Sequence, residues 1–284
     1  MAVILGLAAA LTYGAADFFG GLATRKTRVY TVVLISQLFG SILLLALFPF
    51  FSGSGPTAEA LWWGGWSGLA GAAGVTFFYQ ALAMGRMSVI APITAVEAAS
   101  VPVIFGLVTG ERPSGLALAG VACALVAVAL VSRTPEEDPA SLAERKGLMA
   151  SGLGHALAAG LGFGAFFILL SRAGADTGLW PLAGARASSV GLLAVVALVA
   201  GSWQRPSGNS LRLIVAAGTF DVAANLFYLL ATREGLLAIV AVLTSMYPAT
   251  TVLLARFALG ERLDRIQLVG LAVAVAGVVA ISLG

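Results

Sequence analysis

The chain has 284 residues, of which 60% are apolar and 10% charged, and its mean hydropathy of +0.99 is far from that of a protein dissolved in water. Soluble domains carry roughly 25% charged residues, so this composition excludes an ordinary soluble globular domain. The net charge of +3 comes from basic residues scattered over short loops, which excludes a nucleic-acid surface and fits cytoplasmic membrane loops; with Cys123 the one cysteine, an intramolecular disulfide is excluded too.

Ten apolar stretches follow one another: 2–24, 30–51, 60–83, 88–108, 115–132, 148–171, 179–200, 211–231, 236–258 and 264–283. About 20 apolar residues cross a bilayer core, and backbone in lipid must satisfy its own hydrogen bonds, so these spans are predicted to be helices. The first, "MAVILGLAAALTYG", has no positive leader and runs on into Asp17, so it is read as a membrane helix and not as a cleavable signal. Trp62, Trp63 and Trp66 at the start of the third span read as an interfacial aromatic belt. The longest charged break, "SRTPEEDPASLAERKG" at 132–147, divides the chain into a first five-helix repeat (1–132), a linker (133–147) and a second five-helix repeat (148–284).

The two halves repeat each other. "VTGERPSGLALAG" (108–120) returns as "ALGERLDRIQLVG" (258–270), and "TFFYQALAMG" (76–85) returns as "NLFYLLATRE" (225–234). A unit with an odd number of spans enters the membrane the other way up in its second copy. The predicted fold class is therefore an all-α integral membrane protein of ten transmembrane helices, built as two inverted five-helix repeats. That arrangement characterises secondary transporters, whose site lies near the midplane between the halves. One set of loops holds Arg25, Lys26, Arg28, Arg86, Arg133, Arg145, Lys146, Arg205, Arg212, Arg262 and Arg265; the other holds Arg112, Arg172 and Arg233. The positive-inside rule puts the first set, with Arg256 close by, in the cytoplasm and both termini outside; the protein is read as one of the inner (plasma) membrane.

Ionisable groups within spans are costly and mark candidate sites. On the eighth span Asp221, Asn225 and Tyr228 share one helical face. The matching face of the third span is Ala72, Thr76 and Tyr79. These two stripes are expected to line a shared cavity, the alternative being interhelical glue; Tyr13 and Tyr247 are added as candidate substrate contacts. Glu97 stands between Pro92 and Pro102, and its counterpart Tyr247 precedes Pro248, so the fourth and ninth spans are expected to be kinked hinges. Glu97 and Asp17 are candidate proton carriers. Arg186 keeps its charge and must meet an anion, either an intramembrane acid or a substrate carboxylate. His155 reads as a packing residue. A rival reading takes "GWSG" (65–68) as an intramembrane serine hydrolase motif with Ser67 as nucleophile and His155 as base. No Walker sequence, Cys/His metal cluster or dinucleotide fingerprint is present in the sequence, so no enzyme activity, metal or cofactor is expected. The expected partners are a small-molecule substrate, the lipid bilayer and protons, with no nucleic acid, the protein acting as a monomer or homodimer.

The paired "GER" turns at 110–112 and 260–262, the run "YPATTVLLARFALGERLDRIQLVGLAVAVAGVVAIS" (247–282) and "LTYGAADFFGGLATRK" (11–26) resemble the drug/metabolite transporter superfamily, in particular its EamA-type members. The resemblance covers nearly the whole chain. It implies a ten-helix transporter with a central cavity built by helices 1, 3, 4, 6, 8 and 9. It also implies export of amino acids and other small metabolites, sometimes toxic compounds, by proton coupling or facilitated exchange; the competing reading is an exporter of lipophilic cationic drugs that uses the intramembrane acids alone. The first copy departs from the pattern in "VEAASVPVIFGLVTGE", where Ala98 stands opposite Pro248 and a proline occupies 102 instead. No catalytic residue is carried over from the family.

Overall fold

The computed structural model describes residues 1–51, 53, 55–84, 87–131, 152–174, 176–199, 201, 203–259 and 265–284. The linker 133–147 and the second GER turn at 260–262 lie outside these residues, as does Arg86. The described chain is helical, with no strand among the described residues. The first half contains α1 (Ala2–Thr24), α2 (Val29–Leu47), α3 (Ala58–Met84), α4 (Met87–Val108) and α5 (Gly115–Val131). The second contains α6 (Leu153–Ser171), α7 (Trp180–Val199), α8 (Gly208–Glu234), α9 (Leu237–Thr244), α10 (Tyr247–Leu259) and α11 (Arg265–Leu283). Seven segments are long and apolar enough to cross a membrane, with α9 and α10 counted as one. The 27-residue α3, the apolar stretch 93–108 of α4 and the 17-residue α5 complete ten spans. Polar side chains adapt to the missing water by bonding within their own helix: the hydroxyls of Thr12, Ser41, Ser100 and Thr219 each donate to the carbonyl four residues back. Large apolar side chains such as Ile42, Val195, Phe257 and Val275 are exposed, as a lipid-facing surface requires.

Helix contacts come in pairs related by exchanging the halves. Helix α1 packs on α8 as α6 packs on α3; α2 meets α8 as α7 meets α3; α1 meets α9 and α10 as α6 meets α4. The contacts α2–α7, α4–α9 and α5–α11 each join equivalent spans and so lie on the axis relating the two copies. Detail follows the same rule. Gly14 lets α1 press on Thr250 and the carbonyl of Tyr247, and Gly164 lets α6 press on Val101. In both places an added Cβ would overlap the facing atoms.

The fourth and ninth spans, both expected to be kinked hinges, differ. Helix α4 runs unbroken from Met87 to Val108, through Pro102. The ninth span is two helices separated at Ser245–Met246. Pro248 offers no N–H to the carbonyl of Thr244, and the chain tightens instead, with Met246 N bonded to the Leu243 carbonyl at 3.3 Å. Among the described residues α4 packs closely on α9, and only briefly on α10 beyond the break.

The GER turn of the first half has a defined local role. Gly110 adopts φ +104°, a left-handed position that ends α4. Glu111 N then reaches back to the Gly106 carbonyl at 2.8 Å, and the Arg112 guanidinium donates to the Leu107 and Glu111 carbonyls at 3.4 and 3.1 Å. The turn thereby aims the Glu111 carboxylate at the other half of the molecule.

Candidate functional site

A cavity enclosing about 720 Å³ of empty space, its mouth included, lies between the halves. Its two walls are equivalent by the repeat and differ in chemistry. Helices α1, α8 and α10 contribute Tyr13, Asp17, Asp221, Asn225 and Tyr247. Helices α3 and α6 contribute Gly68, Gly71, Ala72, Val75 and the rings of Phe163, Phe166 and Phe167. One wall is polar and acidic; the other is smooth and aromatic.

Between the walls, on the axis, stand Gln37 of α2 and Arg186 of α7. They are 149 residues apart and bonded to each other, with the Gln37 carbonyl accepting from Arg186 Nη1. Arg186 Nη2 donates to Asp221 Oδ2 at 2.5 Å. Arg186 is 8% exposed, so this partner is a physical necessity, since a guanidinium cannot shed its charge on burial. The second outer group, Ser189 Oγ, donates to the same Gln37 oxygen at 3.3 Å. Next along α8, Asn225 Nδ2 donates to the Asp221 backbone carbonyl at 2.6 Å, and its Oδ1 accepts from the Tyr13 hydroxyl at 2.8 Å. Asp17 faces the same cavity, and no hydrogen bond or ion pair with a described residue engages its carboxylate. The Tyr247 hydroxyl is buried with no hydrogen-bond partner among the described residues.

The structure thus brings Asp221, Asn225, Arg186, Tyr13, Asp17 and Tyr247 to one cavity. Four other candidates lie elsewhere. Tyr228 is fully buried, donates to the Phe167 carbonyl at 2.8 Å and stacks on the Phe167 ring at 4.5 Å, which ties α8 to α6. Tyr79 lies against Gly20 of α1, where any Cβ would overlap its hydroxyl. Thr76 is half-buried and off the cavity wall. Glu97 packs on Gly160 at the α4–α6 contact, with Oε2 buried and without a hydrogen-bond partner among the described residues. No described residue of α4 reaches the cavity, because α4 lies behind α6 and α9; α2 and α7 supply axis residues in its place. The hydrolase pair is not assembled: the Ser67 hydroxyl is spent on the Gly64 carbonyl at 2.7 Å, while the His155 ring packs edge-on to Phe77, its Nδ1 without a partner among the described residues. No group of acids, histidines and cysteines suited to a metal ion occurs among the described residues.

Reading the sequence alone passed over Gln37, Ser189 and the three phenylalanines. Gln37 was within reach: Ala72 to Asp221 and Tyr79 to Tyr228 have the same 149-residue separation that relates Gln37 to Arg186.

No curated protein matches the chain in sequence. Among solved structures, one crystal structure of a protein superposes at a TM-score of 0.77 with 20% identity, covering 99% of this chain and 98% of that one, which establishes the shared fold. The EamA-like transporter family matches twice, over residues 1–133 and 150–283, so both halves carry its pattern. By that double match, over a multi-pass membrane scaffold with a cavity between its halves, the chain belongs to the EamA-like transporter family of the drug/metabolite transporter superfamily.

Proposed function

We propose that the protein is a secondary active exporter of small amphipathic metabolites that carry an amine, amino acids foremost, working by alternating access around the cavity. The observation that carries this reading is the division of the cavity into an acidic wall and an aromatic wall. A cargo with a cationic head and an apolar body can satisfy both at once. The ammonium is met by Asp17, and the apolar body lies on Phe163, Phe166 and Phe167. A guanidinium has five N–H donors. Arg186 spends one nitrogen on Gln37 and the other on Asp221, leaving hydrogens for a cargo carboxylate. Asp17, the cavity acid with no hydrogen-bond or ion-pair partner among the described residues, serves as proton carrier, because cargo and proton then compete for the same carboxylate. In this reading the protein sits in the inner membrane with both termini on the outer side.

A second reading, export of lipophilic cationic drugs, is favoured by the engagement of Arg186 with Asp221, which leaves the guanidinium tied to the protein. Thermal unfolding of the detergent-solubilised protein separates the two. A ligand that binds only the folded state raises the midpoint, by about 2–4 °C per kcal/mol for a protein of this size class. Leucine is expected to stabilise the protein more than 3-methylbutylamine, the same molecule without its carboxylate, and Asp17→Asn should abolish both effects. Equal stabilisation by the two would move the assignment to cationic drugs; no response to any amine would defeat both readings.

A further inference from the structure

At one end of the molecule a carboxylate of the first half caps a helix of the second. Glu111, delivered by the GER turn after α4, accepts hydrogen bonds from the backbone N–H groups of Leu237 at 2.7 Å and Ala238 at 2.9 Å, the first two residues of α9. Both donors are buried, and helix N-termini leave such N–H groups without partners of their own. An anion placed there gains two charge-assisted bonds and the favourable end of the helix dipole. Gly106 makes the room, since a Cβ there would overlap Glu111 Oε2. The bond crosses from the first repeat to the second, at the end where α4 and α9 are in close contact. Past the break at Ser245–Met246, α10 departs from α4.

We propose that Glu111 is the latch that holds this end of the transporter shut, and that cargo crosses only when the carboxylate leaves the start of α9. The short α9 moves as a unit about the Ser245–Met246 break, and the latch fixes where it rests. The duplication supports the assignment from sequence: Glu261 follows Glu111 by 150 residues, and Met87 and Ser88, which begin α4, precede Leu237 and Ala238 by the same 150. Glu261 itself lies outside the described residues.

The proposal rests on alternating access and is independent of the cargo, so its test needs no substrate. In a Cys123→Ser background, Val75→Cys places a thiol on the cavity wall, and a membrane-impermeant thiol reagent is applied from one face at a time. With Glu111 intact, labelling is expected from the face opposite the latch and to be slow from the Glu111 face. Glu111→Gln keeps the shape and one acceptor but loses the charge, and should raise labelling from the Glu111 face on the order of tenfold. Leu237→Pro tests the same bond from the other side. It removes one donor at the first helical position, which proline tolerates, and Leu236 already has the extended backbone (φ −63°, ψ 136°) that a residue before proline needs. Increased labelling in both variants supports the latch. Unchanged sidedness in both, with each variant monodisperse, overturns it. Rapid labelling from both faces in the parent would instead overturn alternating access.

Discussion

A guanidinium fixed on the axis between two helices has to be answered by an anion or by water. Arg186 is answered by Asp221, while Gln37 fills its other side. Removing one partner leaves the other charge buried and unpaired, which costs roughly 3–5 kcal/mol in well-buried pairs. Asp221 keeps 28% side-chain exposure to the cavity, so Asp221→Asn should cost less, about 2–4 kcal/mol. Replacing both charges, as Arg186→Met with Asp221→Leu, should restore most of that stability by removing the unpaired charge. A double-mutant cycle of denaturant unfolding in detergent checks this, and additive losses would show that the pair is not coupled. The need of Arg186 for an anion was legible in the sequence, because it follows from one residue's chemistry. The role of Tyr228 was not. It shares a helical face with Asp221, but seven residues on a helix advance about 10 Å along the axis. At that depth the face meets the Phe167 carbonyl instead of the cavity.

At the scale of the helix, close approach is what the glycines of α3 provide. Gly64 lies against the backbone of Pro181, and a Cβ there would overlap its carbonyl oxygen, an atom with no freedom to swing away. Its neighbour Gly65 has open space where a Cβ would stand. Gly64→Ala should therefore force α3 from α7 and lose about 1–3 kcal/mol by overpacking. Gly65→Ala should be neutral or gain about 0.5–1 kcal/mol from helix propensity. Parallel melts of the two variants decide it, and equal behaviour would contradict the packing described. Which glycine of the adjacent pair bears the contact was invisible in sequence, since both read as "GG" in an apolar run. The spans themselves were legible, because lipid leaves the backbone few options. The ninth span was legible only in part. Pro248 signalled a disturbance, as Pro102 did, yet α4 continues through its proline while the ninth span divides. A missing N–H decides where a helix is weak, and neighbouring helices decide whether it breaks there.

Inversion governs the molecule as a whole. Two copies of one unit pack so that α1–α8 repeats α6–α3 and α2 meets its own counterpart α7, the contacts of a two-fold relation between the halves, and five spans in each half make that relation an inversion. Such symmetry lets either end close by the same contacts, which is what alternating access needs. The packing surfaces of the halves are alike while their cavity walls differ: Asp221 stands where the other half has Ala72, and Tyr13 is matched by Phe163. The repeat was legible from two short motifs, whereas the divergence of the walls required knowing which face of each helix turns inward. If the halves are inverted, five spans separate the N-terminus from the linker and ten separate it from the C-terminus. Reporters fused at residues 1 and 284 should then report one face of the membrane, and a reporter inserted near residue 140 the other. By the positive-inside rule the arginines and lysines at 25–28, 133–146 and 205–212 predict a cytoplasmic linker, so alkaline phosphatase should be active at both termini and inactive at the linker. Activity at the linker and one terminus together would leave an even number of spans between them, and neither the inversion nor the cycle built on it would stand.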